Sequence, residues 1–470
     1  MKKSRGKYLI KNTIILTIGN FASKLITFFL IPLYTNVLTT AEYGKVDLIM
    51  TICMILIPVL SLNISESVMR YSLDKNSNIK DIIKISNLFF IISCFAGLIL
   101  IPIFNLIDSY KYFSILIYFY FAFSLGDQIY LSLLKGQERL KRYTFGNVLH
   151  TLLIAVFNII FLVFFKYGIK GYMFAYIISN LIILIYAFIA SGAYKFTGLN
   201  FDNKLMKSMI SYSVVLIPTS FMWWIMNSSD RIMVKNMVSE SANGIYAISY
   251  KLPTLISTII GIFTQAWLFS AIDTKDSKDQ TQFTNKVYNY LFILCSIMAI
   301  SLLLICKPFM KLYVAPNYFE AWKYMSYLII GVVFQTLATF ISTTYNVYKD
   351  NKGFLYSGLC GAILNIVLNF ILIPIINVHG AALATCLSYI AVFVYRIIDT
   401  RKYIKINIIN YRYIISFIMM ILAAMTIYIE GFTSYILIII ELLFIIILNF
   451  QDLKKGILEI FNILIRKKVN

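Results

Sequence analysis

The chain has 470 residues, of which 60% are apolar and only 13% charged, with a mean hydropathy of +0.80. Soluble globular chains carry about a quarter of their residues as charges, so this composition excludes a soluble fold and makes the bilayer the solvent. The formal net charge of +21 concerns which loops carry lysine and arginine, and no nucleic-acid partner is expected from it.

A helix needs roughly 20 mainly apolar residues to cross about 30 Å of hydrocarbon, and about fourteen such runs are predicted. Span one, 10–31, follows Lys2, Lys3 and Arg5. Its length and the lack of a small-residue cleavage site predict an uncleaved helix, ended by Pro32. Thr13, Thr17, Asn20, Lys24 and Thr27 share one face of it at helical spacing. Span two, 46–65, carries Asp47, Thr51, Pro58, Ser61 and Ser65 roughly in phase, and Glu66 with Arg70 at its end is expected as a local i, i+4 pair.

Spans three and four cover 83–106 and 112–134. Asp127, beside Gln128 on span four, is the acid well inside the first half. It is the candidate for binding H+ or Na+, a polar tie to span five being the other reading. Spans five and six, 146–165 and 172–192, lead to a polar linker at 196–209. Span seven, 210–231, places Ser213, Ser220, Asn227 and Arg231 on one face and ends near the outer surface on Asp230 and Arg231, read as an outer gate or as a snorkelling arginine. Span eight, 244–271, carries Lys251, Thr254, Thr258, Gly261 and Gln265 in phase. Spans nine to fourteen cover 287–306, 323–346, 354–376, 380–398, 413–429 and 433–450.

The chain aligns with itself. Leu38-Thr39-Thr40-Ala41-Glu42-Tyr43-Gly44 falls on Val238-Ser239-Glu240-Ser241-Ala242-Asn243-Gly244, Lys111-Tyr112-Phe113-Ser114 on Lys323-Tyr324-Met325-Ser326, and Gly171, Ala175, Ser179 on Gly380, Ala384, Ser388. The last set is a small-residue ridge of the kind that lets membrane helices approach closely. Spans one to six therefore correspond to seven to twelve, and an even number of spans gives both copies the same orientation. The expected architecture is all-α: an N-terminal lobe over 1–195, a linker over 196–209, a C-terminal lobe over 210–400, and spans thirteen and fourteen with a tail over 401–470. Most of the 42 lysines and arginines fall on the side of the N-terminus, which predicts that both termini are cytoplasmic.

Serine, threonine and asparagine stripes often serve as interhelical glue at ~0.6 kcal/mol each. Lysine does not, because a charge at the bilayer centre costs about 2.5–3.5 kcal/mol on the lenient scale and should face protein or water. Counting 1.5 Å per residue, Lys24 is roughly 21 Å from the inner start of span one and Lys251 about 10 Å from the outer start of span eight, so both lie at one depth. Two cations at one level would receive a phosphate or diphosphate, and snorkelling to the outer interface is the alternative. The six cysteines fall in or at the ends of spans without a CxxC pair, and there are two histidines. No metal and no cofactor is expected.

Glu42-Tyr43-Gly44 after the first span, "SLNISESVMRYS" after the second, and "SYSVVLIPTSFMWWIMNSSDRIMV" running into "GIYAISYKLP" resemble the polysaccharide flippases of the multidrug/oligolipidic/polysaccharide exporter superfamily. The resemblance runs through spans one to twelve and implies two six-helix lobes around a central cavity that opens alternately to each side. In the lipid II flippase branch the cavity carries cations on helices one, two and eight. Lys24 and Lys251 match two of these; span two has only Lys45 and Arg70 at its ends. Spans thirteen and fourteen, apolar apart from Glu430 and Glu441, would border a groove for a lipid tail.

The resemblance implies export, by flipping across a bacterial plasma membrane, of an undecaprenyl-diphosphate-linked oligosaccharide repeat unit. Asn20, Lys24, Thr27, Asn227, Lys251, Thr254, Thr258 and Gln265 are the expected cavity residues. Membrane lipids, H+ or Na+, and the polymerase and glycosyltransferases of the same pathway are the expected partners. A cation-coupled drug antiporter is the alternative within the superfamily; such antiporters favour a carboxylate in the lobe interior and a less cationic cavity, whereas span one has no acid and carries Lys24. A polysaccharide polymerase or glycosyltransferase is the alternative outside it. Such an enzyme would need acid and base groups on a substantial outer loop, and the longest outer loop here carries Glu320 alone.

Overall fold

The structure is a computed structural model that describes residues 2–74, 77–198, 200–273, 275, 277, 279–407, 410–456 and 458; side chains at 2–16, 18, 20, 266, 269 and 273 lie outside the description. Among the described residues all regular structure is helical. In the first half the helices are α1 (Lys2–Val37), α2 (Thr40–Leu60), α3 (Ile64–Ser72), α4 (Ile79–Gly97), α5 (Leu100–Asn105), α6 (Ser114–Gly136), α7 (Leu140–Asn158) and α8 (Gly168–Ser191). There follow α9 (Asn203–Met237), α10 (Glu240–Ser249), α11 (Thr254–Asp273), α12 (Gln280–Tyr313), α13 (Trp322–Tyr348), α14 (Asn351–Ile376), α15 (Val378–Asp399), α16 (Tyr411–Thr426) and α17 (Thr433–Leu448).

Each predicted span has a helical counterpart. Among the described residues ten spans are long and apolar enough to cross a membrane, or up to 12 when each of two bent helix pairs counts as one, and the apolar stretches Phe21–Val37 and Tyr411–Thr426 are shorter. The chain is a multi-pass membrane protein, with about fourteen as the approximate helix count. Two boundaries differ instructively. Pro32, expected to end the first span, lies inside α1, which runs on to Val37. Proline is tolerated inside membrane helices; the bond that Pro32 cannot make is the one to the Phe28 carbonyl, and beyond it Thr35 Oγ1 and Asn36 Nδ2 both donate to the Pro32 carbonyl, at 3.2 and 2.8 Å, near the end of α1. Glu66 and Arg70 form no ion pair, and both are exposed on α3.

The chain divides into two compact units, Met1–Trp224 and Ile225–Asn470. In unit 1, α6 is central and packs on α8, α3, α4 and α5, while α7 packs on α8 and α1. The first part of α9 belongs here: Trp224 Nε1 donates to Thr51 O at 2.7 Å, Asn63 Nδ2 to Ser220 Oγ at 3.4 Å, and Ser67 Oγ to Met209 O. In unit 2, α13 holds the corresponding place, 83% of its apolar window being buried. It packs on α15, α11 and α12, and α14 packs on α15.

The sequence repeat has a physical meaning inside each unit. Its first match is a pair of helix N-caps. Thr39 caps α2 in a reciprocal capping box with Glu42, the Glu42 N–H donating to Thr39 Oγ1 at 3.2 Å and the Thr39 N–H to Glu42 Oε2 at 2.9 Å. Ser239 caps α10, its Oγ accepting from the Ala242 N–H at 3.0 Å. The ridge match is a close backbone approach. A Cβ on Gly171 would stand 2.9 Å from Phe161 O, and one on Gly380 would stand 2.4 Å from the Leu372 carbonyl. About two turns on, Ser179 donates to Ala175 O and Ser388 to Ala384 O, both at 2.7 Å.

At the end of α13 Asp350 caps α14, its Oδ1 accepting from the Gly353 N–H at 2.9 Å, while Lys402 Nζ lies 2.9 Å from Oδ2. The Gly353 N–H first and Lys402 second hold this carboxyl below the ordinary aspartate range. A depressed folded-state value stabilises the fold above the unfolded value, near pH 4, and that contribution disappears as pH falls through the folded one. Asp350→Asn is expected to remove this increment, about 1 kcal/mol or less for an accessible pair and cap, and to leave a smaller acid sensitivity of the unfolding midpoint between about pH 5 and pH 3.

Candidate functional site

In unit 1 the polar stripe of α1 is split by its own packing. Ser23 Oγ donates to Asn147 O on α7 at 3.3 Å, so that flank is an interhelical tie. Thr27 Oγ1 turns back to Ser23 O at 2.8 Å. Lys24 is exposed, and Phe21, Leu25 and Phe29 beside it are exposed apolar side chains. The Asn20 side chain lies outside the described residues. On α6, Asp127 is 4% exposed and accepts from the Gln128 N–H. A buried acid in a membrane bundle is a functional-site hypothesis by default.

In unit 2 the predicted span eight is a broken helix. α10 and α11 meet at a 46° bend, at Tyr250-Lys251-Leu252-Pro253. Pro253 has no N–H to continue the ladder to the Ser249 carbonyl, and the Thr254 hydroxyl donates to the Lys251 carbonyl at 2.8 Å. Lys251 thus sits in the break itself. Thr258 Oγ1 donates to Thr254 O at 2.8 Å; Thr254 and Gln265 are exposed and Thr258 is half-buried. Interrupted helices whose freed backbone and polar side chains face a site are how membrane carriers build binding positions near the midplane.

Beside the break lies a buried polar cluster. Span seven was expected to end at Arg231, yet α9 continues to Met237, and Asp230 is 1% exposed. One oxygen of its carboxylate, Oδ2, accepts from Tyr246 OH at 2.6 Å, Tyr250 OH at 2.7 Å and Thr385 Oγ1 at 3.2 Å. The other, Oδ1, accepts from the Arg231 N–H at 2.9 Å. The Arg231 guanidinium lies 5.5 Å from the centre of the Tyr250 ring. Asn365 Nδ2 donates to Thr385 Oγ1 at 3.4 Å, and Asn369 Nδ2 to Asn365 Oδ1 at 3.1 Å. Asn369 Oδ1 is buried without a hydrogen-bond partner. A turn earlier on α9, Asn227 Oδ1 accepts from Tyr389 OH at 2.8 Å and from Gln335 Nε2 at 3.1 Å, which clamps α9 to α15 and α13.

Chemically, the cluster is a set of carboxylate, amide and hydroxyl oxygens drawn from α9, α10 with its cap Tyr250, α14 and α15. Hard monovalent cations take such oxygens, and a proton could instead neutralise the acid. The sequence reading did not select Tyr246, Tyr250, Asn365, Asn369 or Thr385. Two signals were available: tyrosines four apart in "GIYAISYKLP", and asparagines four apart inside the apolar span eleven. Among the described residues no group of His, Cys, Asp and Glu has the makings of a metal site.

The sequence profile of the family described as polysaccharide biosynthesis protein matches residues 9–272. Among curated relatives, Lsg locus putative protein 1 of Haemophilus influenzae is 21% identical over 338 residues, 70% of this chain and 82% of the relative. An uncharacterized membrane protein of Methanocaldococcus jannaschii is 24% identical over 423 residues, 84% and 99% of the two chains. Among solved structures, the lipid II flippase MurJ in an inward closed conformation superposes with a TM-score of 0.69 at 16% identity, over 94% of this chain and 100% of the other. An inward-facing multidrug resistance MATE family transporter gives 0.62 at 12% identity, over 82% and 94%.

Proposed function

Because this chain belongs to the polysaccharide biosynthesis protein family, we propose that it flips an undecaprenyl-diphosphate-linked oligosaccharide repeat unit across the bacterial plasma membrane by alternating access. The observation that carries the reading is the cation in a helix break: Lys251 lies between α10 and α11, where the regular helix is interrupted. Lys24 supplies a second cation from α1. An ammonium on a flexible stem is a strong partner for a diphosphate, and it partly neutralises a charge that would otherwise be costly in the membrane. Asn20, Thr27, Asn227, Thr254, Thr258 and Gln265 supply hydrogen bonds to the sugar and phosphate. The isoprenoid tail stays in lipid beside α16 and α17.

The proposed lobes are 1–195 and 210–400, joined by 196–209, with 401–470 appended; both termini face the cytoplasm, where the pathway's glycosyltransferases load the carrier lipid. Two acids are available for coupling to H+ or Na+: Asp127 in unit 1, and Asp230 with its oxygen-rich surroundings in unit 2. Arg231 beside Asp230 is positioned to link ion occupancy to opening. A carboxylate so placed also suits a cation-coupled drug antiporter, and substrate choice separates the two. In proteoliposomes with an imposed Na+ or H+ gradient, the protein is expected to leave an ethidium gradient unchanged while it moves the lipid-linked sugar. Ethidium counterflow without lipid-linked transport would establish the antiporter instead.

A further inference from the structure

At one end of unit 1, two arginines converge on a single backbone oxygen. Arg139 Nη1 donates to Ala190 O at 2.8 Å and Arg142 Nη1 to the same oxygen at 3.0 Å. Ala190 lies in the last turn of α8, where carbonyls lack helical partners. One cation there would cap the helix and complement its dipole. Two exceed what capping requires, since Gln137 Nε2 already serves the neighbouring Ser191 carbonyl at 3.1 Å.

A guanidinium carries five N–H donors. Among the described residues, Arg139 and Arg142 use those two bonds and neither meets a carboxylate. Both are exposed. Two like charges held against one oxygen repel each other, and an anion between them would relieve this. Lys141 and Lys195, both exposed, add positive charge at the same helix ends.

The space beside them is an open cleft of about 350 Å³ lined by Arg142, Tyr186, Ile189 and Ala190. Tyr186 OH donates to Arg142 O at 3.0 Å, which fixes the ring as one wall, and Phe145 packs against that ring at 5.6 Å between centroids. Ile189 is 58% exposed and Phe145 56%. A forked cationic head beside exposed aliphatic and aromatic side chains at the end of membrane helices matches a ligand that is anionic at one end and hydrocarbon at the other. A water-soluble anion would leave the apolar wall unused, and a zwitterionic lipid would bring its own cation to two arginines.

We infer that this cleft binds an anionic glycerophospholipid, its phosphate bridging Arg139 and Arg142 and its acyl chains lying along Ile189 and Phe145. None of the residues assigned to this site is among those proposed for transport, and the assignment does not depend on which substrate is carried.

Native mass spectrometry of the full chain, purified in neutral detergent with phosphatidylglycerol or phosphatidylcholine, tests this. The wild type is expected to retain one phosphatidylglycerol in preference to phosphatidylcholine. The R139Q/R142Q variant is expected to lose that preference, with at least about a tenfold weaker apparent affinity. R139K/R142K keeps the charge and the helix cap but not the fork, and is expected to fall between them. If the Gln variant does not fold, the wild-type lipid preference and the Lys variant decide. Equal retention of both lipids, unchanged phosphatidylglycerol binding in the variants, or its displacement by equimolar inorganic phosphate would each overturn the assignment.

Discussion

Replacing Lys24 and Lys251 together by glutamine is expected to slow transport of a diphosphate-linked sugar by about 10- to 100-fold, with each single replacement intermediate. Charge-assisted hydrogen bonds contribute about 1.5–3 kcal/mol each, and a loss of 1.36 kcal/mol in the rate-limiting state is a tenfold change in rate. Glutamine keeps length and hydrogen-bonding capacity, so the change isolates the charge. The corresponding arginine variants keep it and should retain most of the rate. Lys24 is exposed, so expression and unfolding midpoint of the K24Q single variant should change little. Wild-type rates in the double Gln variant would remove both lysines from the mechanism.

Asp230→Asn is expected to have a comparable effect by another route. The carboxylate accepts three hydroxyls on one oxygen and a backbone N–H on the other, and with an amide in its place the donors compete for one neutral acceptor. Hydrogen bonds to a charged group count for about 1.5–3 kcal/mol, so the variant should unfold at a lower temperature. The diagnostic change is in coupling. If Asp230 with Asn365, Asn369 and Thr385 binds the driving cation, transport in the variant loses its dependence on the Na+ or H+ gradient, and the residual rate is the same with and without it. A variant that is merely less stable would keep the gradient dependence at a lower amplitude. Asp127→Asn is the parallel measurement for unit 1.

The helical architecture was readable because the bilayer leaves little choice: apolar runs of sufficient length must close their own hydrogen bonds. The repeat was readable for a local reason. Its matching residues do matching jobs, Thr39 and Ser239 as caps, Gly171 and Gly380 as points of backbone approach. The interior polar cluster was less readable. A hydropathy window treats Asn227-Ser228-Ser229-Asp230-Arg231 as the end of a span, since it scores each residue by its transfer cost to lipid. In the structure the partners of these residues are other side chains, from α10, α13, α14 and α15, and the cost is met inside the bundle. Nothing in the local sequence of α9 announces those partners. Asn365 and Asn369 are masked in the same way, because Ile, Leu and Val around them keep the window apolar. The break at Pro253 was visible as a residue but not as a break, since proline bends some membrane helices and, as at Pro32, is absorbed by others.

The claim that this chain is a flippase is met most directly by leaflet accessibility. Proteoliposomes holding the purified protein and a fluorescent undecaprenyl-diphosphate-linked oligosaccharide are treated with a membrane-impermeant reductant, and the pool protected in the inner leaflet is followed in time. With the wild type the protected pool should be consumed, and with K24Q/K251Q it should decay slowly. A protected pool that persists beside correctly folded wild-type protein, as it does in protein-free vesicles, would contradict the account.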